Sequence, residues 1–272
     1  MLADPGVSAN LSMLFSEHPF LSRFAAASAA GFSAVEYLWP YAHPPDVLAG
    51  RLADAGLEQV LCNCLSGDTD AGERGLGALP GREAEFRGGI ATALEYAQAL
   101  RCPRVHVMAG ILPPDLDRDR AQETYLDNLR AALDTARGSG VTLLLEPINA
   151  YDLPGYFLRM LAQAQAVVDQ LAEPGLAIQL DWYHAVRTEP DVVAATCRHL
   201  PPPALNGAPA AGRRPGPSRA RRRRRRLPHP FRAGRRARVQ GVGRLRVRPA
   251  GTHQGRPGLV AVAVAGRWDG LP

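Results

Sequence analysis

Six short apolar runs recur along the first 181 residues at intervals of roughly thirty, with segments of helical period between them. The runs are Asn10–Phe15, Ala34–Leu38, Gln59–Leu65, Arg104–Met108, Val141–Glu146 and Ala177–Asp181. In Glu83–Leu100 the residues Phe86, Ile90, Leu94, Ala97 and Leu100 recur every three to four positions, which is one face of a helix. Asp119–Arg137 repeats this with Tyr125, Leu126, Leu129, Ala132, Leu133 and Ala136, and Phe157–Leu171 with Leu161, Ala164, Val167, Val168 and Leu171. Regular strand–helix alternation calls for a parallel sheet, because parallel neighbours need a long crossover between them. Eight such units need about 260 residues, so the expected class is α/β, of the (β/α)8 TIM-barrel type. Six units are visible before residue 200, and beyond it Leu259–Ala265 is the only strand-like run.

Composition changes abruptly where the alternation stops. Residues 1–200 hold 14 arginines against 25 acids, a net charge of −11, whereas residues 201–272 hold 18 arginines and one acid, Asp269, a net of +17. Six arginines run consecutively from Arg221 to Arg226 in a stretch rich in Pro, Gly and Ala. Lysine is absent, and all 32 basic residues are arginine, which points to a GC-rich coding sequence. The expected division is a barrel domain over 1–200, incomplete at six units, and an irregular or out-of-frame segment over 201–272. Four cysteines (Cys62, Cys64, Cys102 and Cys197) are too few and scattered for a disulfide framework. Cys62 and Cys64, two apart on a strand, share one face and read as buried thiols. The chain opens without a basic segment leading into an apolar run, and no apolar stretch reaches 18 residues. A cytoplasmic protein without a membrane span is expected.

In a parallel barrel the functional side chains sit at the carboxyl ends of the strands and just beyond them. Glu146 closes the apolar run VTLLLE, and Asp181 closes LAIQLD. A carboxylate at such a position is costly to bury unless it holds a metal, a proton or a partner. Two on consecutive strands point to one shared site, with Glu146 as a catalytic group and Glu146 and Asp181 as ligands of a divalent cation. Carboxylate oxygens suit Mg²⁺ or Mn²⁺, and a nearby imidazole would also admit Zn²⁺. His184, three residues beyond Asp181, is expected in a loop over the site, in contact with substrate. Arg82 offers a bidentate fork for a substrate carboxylate or, alternatively, only a charge at a helix start. His106, Glu36 and Asn63 read as core or polar-network residues. The loop Ser66–Gly81 has five glycines but neither a GxxxxGK nor a GxGxxG pattern, so it does not read as a phosphate cradle.

Four segments, ANLSMLF (Ala9–Phe15), GERGLGALPGREAEFR (Gly72–Arg87), LLLEPIN (Leu143–Asn149) and DWYH (Asp181–His184), occur in order over residues 8–200. Together they resemble hydroxypyruvate isomerase, a branch of the xylose-isomerase-like barrels. The resemblance implies aldose–ketose isomerisation between hydroxypyruvate and tartronate semialdehyde through an enediolate. That chemistry needs two proton-transfer groups and a cation or donors for the oxyanion. It further implies that Glu146 is the proton-transfer glutamate after the fifth strand, and Asp181 the metal-binding aspartate after the sixth. A second glutamate and a metal-binding glutamine, from strands seven and eight, have no counterpart in this sequence. A chain with this tail is therefore expected to isomerise slowly or not at all. The partner expected is a small 2-oxo or 2-hydroxy acid. A related four-carbon 2-oxo acid is the rival substrate. A zinc-dependent apurinic endonuclease shares the barrel but needs a histidine-rich cluster, and only five histidines precede residue 200.

Three readings compete for residues 201–272. A basic nucleic-acid-binding arm would use its arginines on phosphates, yet the segment has one Trp, one Phe and no Tyr for base stacking. A disordered extension would leave the barrel unfinished. A reading-frame error is the third, and it is the one favoured here. Synonymous codons for Arg235–Val247, read one nucleotide on, translate as Asp-Glu-Leu-Gly-Tyr-Arg-Gly-Trp-Val-Gly-Cys-Glu-Tyr. That peptide resembles the family segment bearing the second glutamate.

Overall fold

The computed structural model describes residues 8–199 and 259–261. Arg221–Arg226 and Arg235–Val247, with the readings attached to them, lie outside the described residues. Seven strands form one sheet in chain order: β1 Ser8–Asn10, β2 Ala34–Glu36, β3 Glu58–Asn63, β4 Arg104–His106, β5 Thr142–Leu145, β6 Leu176–Leu180 and β7 Leu259–Ala261. Every neighbouring pair is parallel. The first six are the expected runs, and β7 is part of the single strand-like stretch of the tail.

Helices α1 Arg23–Ala29, α2 Pro45–Ala55, α3 Glu83–Ala99, α4 Arg118–Ala136 and α5 Leu161–Leu171 connect β1 through β6, and α6 Trp182–Thr188 and α7 Val192–His199 follow β6. Their ends follow from local chemistry. Proline at the first position of α2 is preset to helical φ, and Gly56 closes that helix at φ 63°, a conformation that favours glycine. Asp117 caps α4 by accepting a bond from the Arg120 amide at 2.9 Å. The apolar stripe of α3 buries Phe86, Ile90, Ala93, Leu94 and Ala97, as its spacing predicts.

Alternation along the strands divides the protein's interior in two. Ala9, Val35, Cys62, Val105, Leu143, Leu145, Ile178 and Leu180 belong to the large core shared with the helices. Residues of the opposite parity form a separate small layer, Leu61, Leu144 and Ala177. Above that layer the same inward parity carries Asn63, Glu146, Gln179 and Asp181. Cys62, Cys64 and Cys102 are free and buried, and all three lie in the outer core.

Three boundaries differ from the sequence expectation. The run 10–15 does not continue as a strand past Asn10. Its side-chain oxygen accepts a bond from the Ser12 amide at 3.0 Å, and its carbonyl takes those of Met13 and Leu14, which turns the chain away. Residues 157–160 are not helical, because the Phe157 amide donates to the Gly110 carbonyl and the Ile148 amide to that of Leu158. The DWYH segment is not a loop. Asp181 accepts a bond from the Tyr183 amide at 2.6 Å and starts α6, a helix cap of ordinary type. Among the described residues no helix is long and apolar enough to cross a membrane.

Candidate active site

The carboxyl ends of the strands meet in a cavity lined by, among others, Asn10 (β1), Glu36 (β2), Asn63 (β3), His106 (β4), Glu146 after β5 and Asp181 after β6. All six side chains are buried. Their convergence follows from the sheet. Parallel strands in register present residues of one parity at one level, so each contributes its terminal inward residue. Leu38, Trp39, Met108, Ile148 and Leu153 supply apolar wall between the polar groups.

Glu146 is held from two sides. Gln179 Nε2 donates to its Oε1 at 3.0 Å, and His106 Nδ1 lies 3.5 Å from its Oε2. The second contact is not an ion pair. Burial, reinforced by His184, pushes His106 down to about 3, and burial, with Asp181 and Glu36 next in order, pushes Glu146 well above the carboxylate range. Both neutral forms are favoured. Burial raises Glu36 to about 7, against the lowering effect of the 3.1 Å bond from Asn10 Nδ2. Burial also raises Asp181, to about 6, partly offset by the amides of Tyr183 and His184.

Glu146, Asp181 and His184 each offer a ligand atom, and these atoms lie within 4.8 Å of one another. Burial lowers His184 to about 4, which favours its neutral imidazole. Asn149 Nδ2 approaches His184 Nδ1 at 2.7 Å and donates to Asp152 at 2.6 Å, which fixes the ring from behind. Two ionised carboxylates some 5 Å apart would repel by roughly 3 kcal/mol at an effective dielectric of about 20. Three acids face this one cavity, and Glu36 Oε2 and Gln179 Oε1 are buried without a hydrogen-bond partner among the described residues. A divalent cation relieves that repulsion, and the oxygen and nitrogen donors present fit one.

The structure brings Glu146, Asp181 and His184 together and leaves Arg82 elsewhere. The Arg82 guanidinium is paired with Glu73 at 2.6 Å and Glu85 at 2.7 Å and lines a separate outer cavity. Glu36, Asn63 and His106, read from sequence as core or network residues, line the same cavity as Glu146. A polar residue ending each short strand was their only signal. It carries weight only once the strands are known to end at one level.

The chain is similar to several known proteins. A 2-oxo-tetronate isomerase of Cupriavidus necator is 53% identical over 196 residues, 72% of this chain and 75% of the relative. A hydroxypyruvate isomerase of Escherichia coli is 42% identical over 182 residues, 67% of this chain and 70% of the relative. A crystal structure from Brucella melitensis, described as an AP endonuclease of family 2, is 44% identical with a TM-score of 0.69, covering 71% of this chain and 74% of that one. The sequence pattern of the xylose isomerase-like TIM barrels matches residues 24–225. With these matches and a parallel sheet whose strand ends gather the polar residues, the chain belongs to the xylose isomerase-like TIM barrel family.

Proposed function

We propose that this chain is an aldose–ketose isomerase acting on a small 2-oxo acid, interconverting hydroxypyruvate and tartronate semialdehyde through an enediolate. The observation that carries the proposal is the convergence of Glu146, Asp181 and His184 at the strand ends. Glu146 is the proton-transfer group. Burial raises its affinity for a proton, and the charge of a bound cation would lower that affinity again. Gln179 holds one of its oxygens by a hydrogen bond, and His106 lies 3.5 Å from the other, which restricts the geometry of the transfer. Asp181, fixed by the Tyr183 amide, and His184, fixed by Asn149, complete a set that would hold Mg²⁺ or Mn²⁺ with Glu146. When bound, such a cation supplies positive charge for the developing oxyanion. The apolar wall excludes water and strengthens each of these interactions.

The family resemblance places a second glutamate after strand seven or eight. Here β7 is followed by Val262-Ala263-Val264-Ala265, and the next acid in sequence is Asp269. Residues 1–200 are therefore proposed as the barrel portion that carries one proton-transfer group. Residues 201–272 are proposed as an Arg/Pro/Gly-rich portion that does not supply the other. The chain as written is then expected to exchange a substrate proton more readily than it completes isomerisation. Restoring the frame so that the glutamate peptide follows should raise interconversion.

A four-carbon substrate, 2-oxo-tetronate, is the second reading, favoured by the 53% identity to the Cupriavidus necator enzyme. A nuclease is not favoured. A zinc-dependent endonuclease of this barrel needs a histidine-rich cluster, and among the described residues one histidine joins the metal-capable group. Assays of hydroxypyruvate and 2-oxo-tetronate side by side, with Glu146→Gln as control, test the proposal. Turnover or proton exchange of either acid that vanishes in Glu146→Gln supports it. Neither acid reacting in the frame-restored chain rejects it. The kcat/KM ratio of the two acids assigns the substrate.

A further inference from the structure

Among the described residues, the cavity that holds Glu146 and Asp181 is lined by one arginine, and it is not Arg82. Arg74 lies in the wall between this cavity and the outer one that Arg82 lines. Its half-buried side chain is anchored on one nitrogen only. Nη1 donates to the carbonyls of Thr69 at 2.9 Å and Glu73 at 2.8 Å. Both acceptors are neutral, so the positive charge is left uncompensated, and Arg74 has no ion pair among the described residues. The edge formed by Nε and Nη2 is the one that grips a carboxylate with two parallel bonds, and no hydrogen bond among the described residues occupies it.

Arg82 differs in its partners. Nη1 and Nη2 meet Glu73 at 2.6 and 3.2 Å, and Nε and Nη2 meet Glu85 at 2.8 and 2.9 Å. Two carboxylates already fill its fork, which raises its proton affinity further and lowers that of Glu73. Its role is to hold Glu73, whose Oε2 also accepts the Asp68 amide at 2.6 Å. Glu73 is the residue next to Arg74, so Arg82 shapes the loop and Arg74 faces the cavity.

The backbone explains how a loop residue is held there. Gly75 adopts φ +111° and pairs with Ala109, and a Cβ at this position would meet the Met108 carbonyl oxygen at 2.5 Å. Only glycine lets the chain lie this close over the end of β4. The Gly75 amide donates to Ser66 O at 2.9 Å and the Ala78 amide to Ala109 O at 2.7 Å. Asn128 Nδ2 bonds the Gly77 carbonyl at 2.9 Å from α4. A fixed backbone places Arg74 in the lining of a cavity whose other ionisable groups, among the described residues, are three acids, Tyr37 and a neutral histidine.

We infer that Arg74 binds the carboxylate of the substrate and so restricts the site to acids. The inference rests on the 2-oxo acid assignment above and adds the residue that makes the acid group a requirement. The arrangement also sorts the ends of the substrate. The carboxylate goes to Arg74, and the carbons that exchange a proton go to Glu146.

Titration calorimetry of the full chain with D-glycerate, an unreactive acid with the three-carbon skeleton, against glycerol, its neutral counterpart, tests this. The wild type should bind glycerate and show at least tenfold weaker binding of glycerol. Arg74→Met should weaken glycerate by about 10- to 100-fold, the worth of a charge-assisted pair, and leave glycerol unchanged. Arg74→Lys should fall between, because it keeps the charge and loses the fork. Arg130→Met, at an exposed arginine of α4 paired with Asp127, should stay within about threefold of the wild type. No measurable glycerate binding by the wild type, equal binding of glycerol, or an Arg74→Met protein within threefold of wild type overturns the inference. If Arg74→Met does not fold, Arg74→Lys decides: weakened glycerate binding supports the inference, and unchanged binding overturns it. The two assignments fail separately. Arg74-dependent glycerate binding without turnover or exchange of either 2-oxo acid leaves the carboxylate site and removes the isomerase. Turnover with an unchanged KM in Arg74→Met does the reverse.

Discussion

On the outward face of β5, Leu143 and Leu145 pack into the helix-lined core with no side-chain polar atom to satisfy, whereas one residue further on the inward parity places Glu146 among two other buried acids. The same strand thus serves two ends. Outward residues gain stability from apolar burial, and inward residues at the strand ends give it up for chemistry. Each acid raised by burial is a group whose charged form the fold disfavours, and the barrel tolerates three of them because the outward face supplies the core.

Substitutions on the two faces should therefore separate activity from stability. The largest effect is expected from Glu146→Gln, which should lower proton exchange or turnover by about 10²- to 10⁴-fold while urea unfolding shows stability equal to or above the wild type. Equal losses of both would erase the distinction between the faces. Leu143→Ala, on the outward side, should cost about 2–5 kcal/mol in the same unfolding experiment, with kcat/KM per folded molecule little changed. A site lost along with the leucine would mean that the inward groups have no rigidity of their own.

Glu36→Gln should act in the opposite direction on stability. The folded-state value of Glu36, about 7, lies above the ordinary 4.5, so between these limits the folded protein binds more protons than the unfolded one. Stability contributed by this residue is full below about pH 4.5, falls as pH rises and is lost above about pH 7. The metal-free protein should lose on the order of 3 kcal/mol from this source across that window, and Glu36→Gln should flatten the profile. A profile unchanged by the substitution would show that Glu36 is not the group being titrated. Smallest of all, Arg82→Met should change stability by at most about 1 kcal/mol, since its pairs with Glu73 and Glu85 are half-exposed.

Much of the fold was legible because periodicity survives without neighbours. Helix stripes such as that of α3 and apolar strands such as TLLL state their own class. Glu146 and Asp181 were legible for the same reason, as acids closing apolar runs. Glu36 and His106 end strands of only three residues, AVE and RVH, where one polar position is indistinguishable from ordinary alternation. Their role depends on where the sheet ends, which is a tertiary fact. Arg82 was the arginine that the sequence offered for a carboxylate, and only the structure shows that Glu73 and Glu85 already engage it. The helix after Asp181 could have been found, since an aspartate two residues before its bonded amide is a capping signal.

The most direct measurement follows deuterium from D₂O into the substrates by NMR. One proton-transfer group without its partner can wash label into C3 of hydroxypyruvate or C2 of tartronate semialdehyde even when net interconversion is slow. The expected result is exchange into one of these carbons above the enzyme-free rate, abolished in Glu146→Gln and in the metal-stripped protein, and retained in Arg130→Met. Exchange that persists in Glu146→Gln, or none at either carbon in the metal-loaded wild type, would contradict the assignment of Glu146 as the proton-transfer group of this barrel.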